Sequence, residues 1–114
     1  MSIPPFEELS HLDRLVHEPA RLAILTALAS CDSADFMFLQ SLTGLTKGNL
    51  NTHLTKLEQG SLVAIEKTFK GKVSKTSVRL TPLGRKSIRR HWDLLKALRR
   101  AAETWGASQA EAGS

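Results

Sequence analysis

Apolar residues recur at helical spacing through the first quarter of the chain and predict two helices. Pro19 separates them, because the residue before a proline disfavours helical backbone and a proline suits the first turn of a helix. A first helix is therefore expected to end near His17. Its apolar positions are Phe6, Leu9, Leu12 and Leu15 or Val16, and those of the second helix are Leu22, Ile24, Leu25 and Leu28.

A short third helix is predicted from the segment FMFLQSL, which is rich in apolar residues. Either Ser33 or Asp35 would cap its start, since both side chains accept hydrogen bonds from free backbone N–H groups. Gly44 follows Thr43 and is placed to close the helix. The helix is therefore expected to end at Thr43.

A fourth helix follows almost at once in the segment TKGNLNTHLTKLEQG. Thr46 is its predicted N-cap, with Leu45 and Leu50 as a hydrophobic staple around it. Gly60 is predicted to end this helix in the left-handed conformation. Two helices joined by a short turn with a glycine are typical of a helix-turn-helix.

The hydrophobic pattern then changes from helical to alternating and predicts a β-hairpin. Its first strand runs from Leu62 to Phe69, and the segment KGKVSK carries a basic turn. In the second strand, Thr76, Val78 and Leu80 fall on one face. The hairpin is the only strand-like pattern in the chain, so the fold class is mainly α with a small β-hairpin.

Thr81 and Pro82 predict the start of a last helix, which is expected to reach Trp105. Its apolar stripe contains Ile88, Trp92, Leu95, Leu98, Ala102 and Trp105. A stripe this long exceeds what so small a domain covers, which favours a partner helix. The predicted dimer interface consists of Trp92, Leu95, Leu98 and Ala102, with Phe6 and Leu9 beside them. The basic opposite side would alternatively suit an anionic membrane surface, although the tryptophans favour core or dimer contacts.

The length of 114 residues fits one domain. We place that domain at residues 1–105, including the helices at both ends, and we expect a flexible tail over residues 106–114, where small and polar residues dominate.

Positive charge is concentrated in the middle of the chain. Residues 1–45 carry 2 Lys and Arg against 6 Asp and Glu, residues 46–100 carry 14 against 3, and residues 101–114 carry 0 against 2. The resulting net charges of −4, +11 and −2 add to +5, which points to a polyanionic partner. Lys67, Lys70, Lys72 and Lys75 gather in the hairpin, where they suit a DNA backbone or minor groove, or are simply solvated.

The outward face of the fourth helix carries hydrogen-bonding groups that disfavour helix, which a helix selected only for solubility would avoid. With Leu50, Leu54 and Leu57 facing inward, amide, hydroxyl and cationic side chains face outward, and they suit the base edges of a DNA major groove. The predicted DNA-binding residues are Thr46, Lys47, Gly48, Asn49, Asn51, Thr52, Thr55 and Lys56. An ordinary polar face is the alternative, and His53 would either reach a phosphate or fill the core edge.

Other classes of function find little support in the sequence. The single Cys31 forms no internal disulfide, and it suits a core position better than a reactive one. Four scattered histidines and one cysteine predict no metal site, and no nucleophile motif, phosphate loop or carboxylate pair predicts an enzyme or a cofactor. No signal peptide and no membrane span are predicted, so we expect a cytoplasmic protein.

Three segments resemble known transcriptional regulators. HEPARLAIL resembles the opening helix of ArsR-like and MarR-like repressors, LTKGNLNTHLTKLEQGSLV their recognition helix, and VRLTPLGRKSI the turn that leaves the wing. The resemblance implies a winged helix-turn-helix with extended N- and C-terminal dimerisation helices, in which the hairpin is the wing. It further implies a homodimer that binds double-stranded DNA at a pseudo-palindromic site.

The predicted function is a sequence-specific DNA-binding transcriptional regulator, and the resemblance favours a repressor. The rival hypothesis is a protein-interaction module that keeps the winged-helix shape without reading bases. The amide-rich face of the fourth helix favours DNA, because a protein-binding helix would expose aromatic or aliphatic anchors there.

Overall fold

The computed structural model describes residues 14–112, which form four helices and three strands. The helices are α1 (Pro19–Ala29), α2 (Phe36–Thr43), α3 (Lys47–Gln59) and α4 (Pro82–Ala112), and the strands are β1 (Ala34–Asp35), β2 (Val63–Lys70) and β3 (Val73–Leu80). The order of elements confirms the predicted fold class, a mainly helical domain with a wing. Most of the predicted first helix, including Phe6 and Leu9, lies outside the described residues.

The sheet is antiparallel with the strand order β1-β3-β2. β2 and β3 form the predicted wing, in which Val63 pairs with Leu80 at the base and Lys70 pairs with Val73 at the tip. β1 is an addition to the prediction: Ala34 and Asp35 pair with Val78 and Ser77. The short strand anchors the wing base to the segment before α2.

The core lies between α1, α2, α3, the wing base and the first turns of α4. Its fully buried side chains include the leucine stripe of α3, as predicted, and Val78 on the core face of β3. The other buried apolar residues of this core cluster are Val16, Ile24, Leu25, Leu28, Ala34, Leu39, Leu62, Val63, Leu80 and Ile88. This core holds α3 with one face inward and the other free.

The turn between α2 and α3 has the predicted caps. Of the two candidate caps for α2, Asp35 is the one used, and its carboxylate accepts a hydrogen bond from the Phe38 N–H at 2.7 Å. Gly44 ends α2 with a left-handed φ of 68°. Thr46 caps α3, and its hydroxyl oxygen accepts a hydrogen bond from the Asn49 N–H at 3.2 Å. The helix-turn-helix is therefore fixed by local hydrogen bonds.

The prediction that Gly60 ends α3 in a left-handed conformation is wrong. Gly60 has a φ of −80°, and Ser61 takes the positive φ of 62°. The Leu62 N–H donates to the Leu57 carbonyl and the Ser61 N–H to the Glu58 carbonyl, which is a Schellman motif one residue further on. Glycine at position 60 serves packing instead, because a Cβ there would collide with the side chain of Leu15.

The start of α4 is locked against the end of α3. Thr81 caps α4 by accepting the Gly84 N–H at 2.9 Å, and its hydroxyl donates to the Ser61 carbonyl at 2.6 Å. Its own N–H donates to the Leu62 carbonyl at 3.1 Å. Gly84 faces that same carbonyl so closely that a Cβ would overlap the Leu62 oxygen. The wing exit, the α3 exit and α4 thus meet at one point, which we call the α4 junction.

α4 continues to Ala112, past Trp105, where the prediction ended it. Its core face also differs from the predicted stripe, because Ile88, His91 and Leu94 are buried while Trp92 is partly exposed. Every residue from 99 to 109 is exposed, and the molecule reaches 70 Å along its longest axis. Residues 99–109 of α4 therefore have no cover from the described part of the chain. Whether residues 106–114 behave as a flexible tail stays a prediction.

His91 is fully buried at 0% exposure, and neither ring nitrogen has a hydrogen-bond partner among the described residues. Its ring lies 5.2 Å from that of His17, measured between centroids. Burial, together with the nearby His17, lowers the pKa of His91 below its usual 6.5. The folded protein therefore favours the neutral imidazole.

None of the helices described here has the length and hydrophobicity that a membrane-spanning segment needs.

Gly84→Ala should lower the free energy of unfolding by about 1 to 3 kcal/mol, because the added methyl group meets backbone that cannot move aside. The matched control is Gly106→Ala in the same helix, where a Cβ would meet nothing within 4 Å. That variant should be more stable than wild type by about 0.5 to 1 kcal/mol, from helix propensity. Urea unfolding measures both, and equal effects would contradict the close contact at Gly84.

Stability should fall as the pH drops below about 6.5, because the unfolded chain then binds a proton at His91 that the folded protein excludes. The contribution is present above that pH and decreases towards the lower pKa of the folded state. Urea midpoints at pH 7.5 and pH 5.5 should differ less in His91→Gln than in wild type. His17→Gln should keep most of the wild-type difference, since burial is the larger cause. An unchanged pH dependence in His91→Gln would contradict this assignment.

Candidate nucleic-acid interface

The recognition face of α3 is built by a strict division between inward and outward residues. Leu50, Leu54 and Leu57 are buried and fix the rotation of the helix. All eight predicted DNA-binding residues of this segment are exposed, and they form one continuous surface: Thr46, Lys47, Gly48, Asn49, Asn51, Thr52, Thr55 and Lys56. The structure therefore brings together the whole helical part of the predicted site.

The amide groups on this face are available for a ligand. Among the described residues, the side chains of Asn49 and Asn51 have no hydrogen-bond partner, so both the amide donor and the carbonyl acceptor point to solvent. Thr52 differs, because its hydroxyl donates to the Gly48 carbonyl at 2.9 Å. Its remaining contributions to a partner are an acceptor lone pair and a methyl group. Asn49 and Asn51 are thus the strongest candidates for base contacts.

The N-terminus of α3 is suited to a phosphate. No acidic residue lies in its first turn, and Lys47 is exposed there. The helix dipole and the free N–H groups at this end favour an anion. Gly48 is open, since a Cβ on it would meet nothing within 4 Å. Glycine is therefore not needed for packing, and the helix backbone at Gly48 is open to solvent.

The segment before α1 contacts both the recognition helix α3 and α4. Leu15 covers Gly60 at the end of α3, Glu18 lies near His53 in the middle of α3, and His17 stacks near His91 of α4. His53 Nδ1 lies 3.6 Å from a Glu18 carboxylate oxygen, and its side chain is largely buried. His53 therefore lies at the edge of the core, which was one of its two expected roles.

Glu18 is held as a carboxylate in this segment. It caps α1 by accepting the Arg21 N–H at 2.8 Å. Burial alone would raise its pKa, but hydrogen bonds from the Arg21 and Ala20 N–H groups and the nearby His53 and Arg21 outweigh burial, so the pKa lies below the usual 4.5. A charged Glu18 at neutral pH supports the position of His53.

The wing divides its four predicted lysines between two faces. Directly paired residues share a face, so Lys67 lies with Thr76 on the core side of the hairpin, while Lys75 lies with Thr68 on the outer side. Lys70 also lies on the outer side, paired with Val73, and Lys72 lies in the two-residue turn beside Gly71, whose φ is 68°. All four lysines are exposed. A wing that enters a groove by its tip would place cations on both sides.

Comparison with known proteins now identifies the family. The sequence profile of the winged helix DNA-binding domain matches residues 20–99, which is most of the chain. The chain belongs to the winged helix DNA-binding family. A relative in Methanocaldococcus jannaschii, itself an uncharacterized protein, is 33% identical over 79 residues, which are 68% of this chain and 85% of the relative.

Solved structures share the same winged helix fold. The structure of a transcriptional regulator homologue from Pyrococcus horikoshii OT3 superposes with a TM-score of 0.80 and 28% identity, covering 88% of this chain and 98% of that one. The transcriptional repressor CouR, bound to a 23-mer DNA duplex, superposes with a TM-score of 0.66 and 22% identity, covering 95% of this chain and 78% of CouR. MarR-family regulators are among the structures that share the fold, which confirms that part of the resemblance. The ArsR-like part stays a prediction.

Arg79 belongs to the basic surface of this winged helix and was missing from the predicted site. It is exposed on β3, paired with Ala64, and shares the outer face with Lys75 and Lys70. The alternation of side chains along β3 could have predicted that Arg79 shares the face of Lys75, because residues four apart in a strand point to the same side.

The predicted dimer residues lie in different environments. Trp92 contacts its own domain, where the indole N–H donates to the Thr26 hydroxyl at 3.0 Å. Leu95 and Leu98 are half-buried, and Ala102 is exposed. Beside Trp92, a groove of about 570 Å³ runs along α1 and is lined by Leu22, Ala23, Thr26, Ala27 and Leu42 among others. The winged helix domain thus leaves a broad apolar surface next to the exposed half of α4.

Metal ligands do not cluster in the winged helix domain. Over residues 14–112, no group of three or more His, Cys, Asp or Glu side chains is placed to hold a metal ion. Cys31 is half-buried at the end of α1, where its thiol donates to the Ala27 carbonyl at 3.5 Å.

Proposed function

We propose that this winged helix protein is a sequence-specific DNA-binding transcriptional regulator, a repressor that binds a pseudo-palindromic site as a homodimer. The observation that carries the proposal is the recognition face of α3. It presents amides that have no partner among residues 14–112, on a helix whose rotation is fixed by three buried leucines. A major groove admits one α-helix, and an Asn amide pairs with an adenine through two hydrogen bonds.

Charge supports the same partner. The segment 46–100, with its net charge of +11, includes the recognition face, the wing and the first half of α4. Phosphate contacts by lysines and arginines supply affinity and position the protein, while base contacts supply specificity. The shared fold with DNA-bound CouR supports this arrangement of helix and wing, and the resemblance to repressors supports the direction of regulation.

The size of a specific DNA site supports a homodimer. One recognition helix covers only a few base pairs, so specificity favours two copies about 34 Å apart, in successive major grooves. Residues 99–109 of α4 are all exposed, and Trp105 among them is 66% exposed. Leu95, Leu98 and Ala102 continue this surface towards the domain. We place the contact between subunits here, with the N-terminal residues Phe6 and Leu9 beside it.

The rival function, a protein-interaction module, has one observation in its favour. Met37, Phe38 and Leu42 on α2 are exposed apolar residues. Their presence on α2 contrasts with α3, whose outward face has no aromatic or aliphatic side chain. Binding through α2 would be nearly independent of salt, whereas DNA binding weakens steeply as salt rises.

Asn51→Ala should weaken binding to the chain's own upstream DNA by about 1 to 3 kcal/mol, since a base edge loses its amide partner. Binding to a scrambled duplex should hardly change, because phosphate contacts remain. Asn49→Ala should behave alike. Fluorescence anisotropy over a series of salt concentrations measures both duplexes.

The matched control for these variants is Gln59→Ala, which removes an exposed amide from the far end of the same helix. It should leave both affinities unchanged. Equal losses on the two duplexes for Asn51→Ala would refute base reading. Wild-type binding without salt dependence, or no DNA binding at all, would favour the rival function.

Leu95→Glu combined with Leu98→Glu should convert the dimer into a monomer, because charged side chains would be buried between subunits. Sedimentation at tens of micromolar measures the state, and the affinity for a two-half-site duplex should fall to that for a half-site. Lys96→Glu, on the exposed side of the same turn, is the control and should remain dimeric. A monomeric wild type, or a dimeric double variant, would place the interface elsewhere.

A further inference from the structure

Two exposed apolar side chains bracket the turn of the wing. Phe69 is 73% exposed at the end of β2, and Val73 is 69% exposed at the start of β3. Phe69 pairs with Ser74 on the core side of the hairpin, whereas Val73 pairs with Lys70 on the outer side. The wing tip therefore carries one apolar group on each face, with Gly71 and Lys72 between them.

The core of the domain does not cover these side chains. Burial along β2 stops at Ile65, and every residue from Glu66 to Lys75 is exposed. A single exposed apolar residue is ordinary, but an aromatic ring and a valine on opposite faces of one turn leave apolar surface on both sides. The tip thus combines positive charge with apolar surface on each face.

The charge around the tip restricts the partner. Lys67 shares the face of Phe69, Lys70 and Lys75 share the face of Val73, and Lys72 lies in the turn. Glu66, near the base, is the one acid in the hairpin sequence from 63 to 80. A partner that fits must offer negative charge at the edges and apolar surface within. The minor groove of DNA has phosphates along its rims, apolar sugar faces as walls, and a width of about 6 Å.

We propose that Phe69 and Val73 contact the sugar walls of the minor groove on either side of the wing turn, while Lys72 enters between them. This inference rests on the proposed function, since it requires that the wing bind DNA. It adds an apolar contribution from two residues to the lysine contacts. Gly71 allows the close approach, because its left-handed backbone bears no side chain and its surroundings are open.

Apolar contacts and phosphate contacts differ in how they depend on salt. When a lysine contact is lost, binding releases fewer counterions from the DNA. The slope of log affinity against log salt then becomes shallower by about one unit. When a sugar contact is lost, the number of released counterions stays the same. The affinity then falls by the same factor at every salt concentration. The two kinds of contact at one wing tip are therefore separable by experiment.

The test uses the full chain and a duplex of about 30 A·T base pairs, close to three helical turns. Phe69→Ala should weaken binding about tenfold and Val73→Ala about threefold, in line with the apolar area lost, with unchanged salt slopes. Phe69→Leu should recover part of the loss. Lys72→Ala should instead reduce the slope. Met37→Ala, an exposed apolar residue on α2, is the matched control and should bind like wild type.

A second readout identifies the groove. Netropsin fills the A·T minor groove, so it should weaken wild-type binding and remove most of the difference between wild type and the Phe69→Ala, Val73→Ala double variant. A double variant that binds the free duplex within about twofold of wild type, or that keeps its defect when netropsin is bound, would overturn the inference while leaving the proposed function in place.

Two further outcomes would also overturn it. Wild-type protein that binds no duplex would overturn the proposed function together with this inference. In the other outcome, vesicles of anionic phospholipid bind wild type but not the double variant, while both proteins bind DNA equally. That result would assign the apolar tip to a membrane surface instead.

Discussion

At the α4 junction, the backbone at the start of α4 lies in direct contact with the backbone that follows the end of α3. Gly84 faces the Leu62 carbonyl, and Thr81 bonds to the backbone of Ser61, Leu62 and Gly84 at once. The recognition helix has just ended there, the wing returns there, and α4 begins there. The direction of α4 relative to the recognition face and the wing is therefore set by the close approach of the Gly84 and Leu62 backbones and by the hydrogen bonds of Thr81. In a dimer joined through α4, the spacing between recognition helices would depend on this junction.

The segment before α1 provides a second connection between the same elements. It contacts α3 through Leu15 and Glu18 and contacts α4 through His17, whose ring faces the buried His91. Together the two connections leave little freedom for α3 to rotate against α4. Such rigidity favours specificity, because each base contact depends on the orientation of the helix.

Local sequence rules predicted those parts of the molecule that local physics determines. The cap at Thr46, the end of α2 before Gly44 and the inward leucines of α3 follow from local residue chemistry and helical period, and the structure has each of them. β1 has only two residues, too few for any period to be read. The role of Gly60 was misassigned because a glycine near a helix end can serve either a left-handed backbone or close packing. Here the packing of Leu15, which is distant in sequence, accounts for the glycine.

The candidate site was predictable to different extents in its two parts. On α3 the helical period placed every outward residue, since a buried stripe determines the opposite face. In the wing, alternation assigns the lysines to two faces. That the exposed apolar residues Phe69 and Val73 lie on opposite faces of the tip follows only from the hairpin register. On α4, the burial of His91 and Leu94 depends on how the helix packs against the domain. Periodicity alone does not predict that packing.

In the proposed dimer, two copies of this winged helix read DNA through α3 at a spacing that α4 fixes. Selection of duplexes from a random library by the wild-type protein tests it most directly. We expect enrichment of two inverted half-sites whose centres lie about 10 base pairs, or one helical turn, apart. A selected pool with no sequence preference over the starting library, or one enriched only in single half-sites, would contradict it.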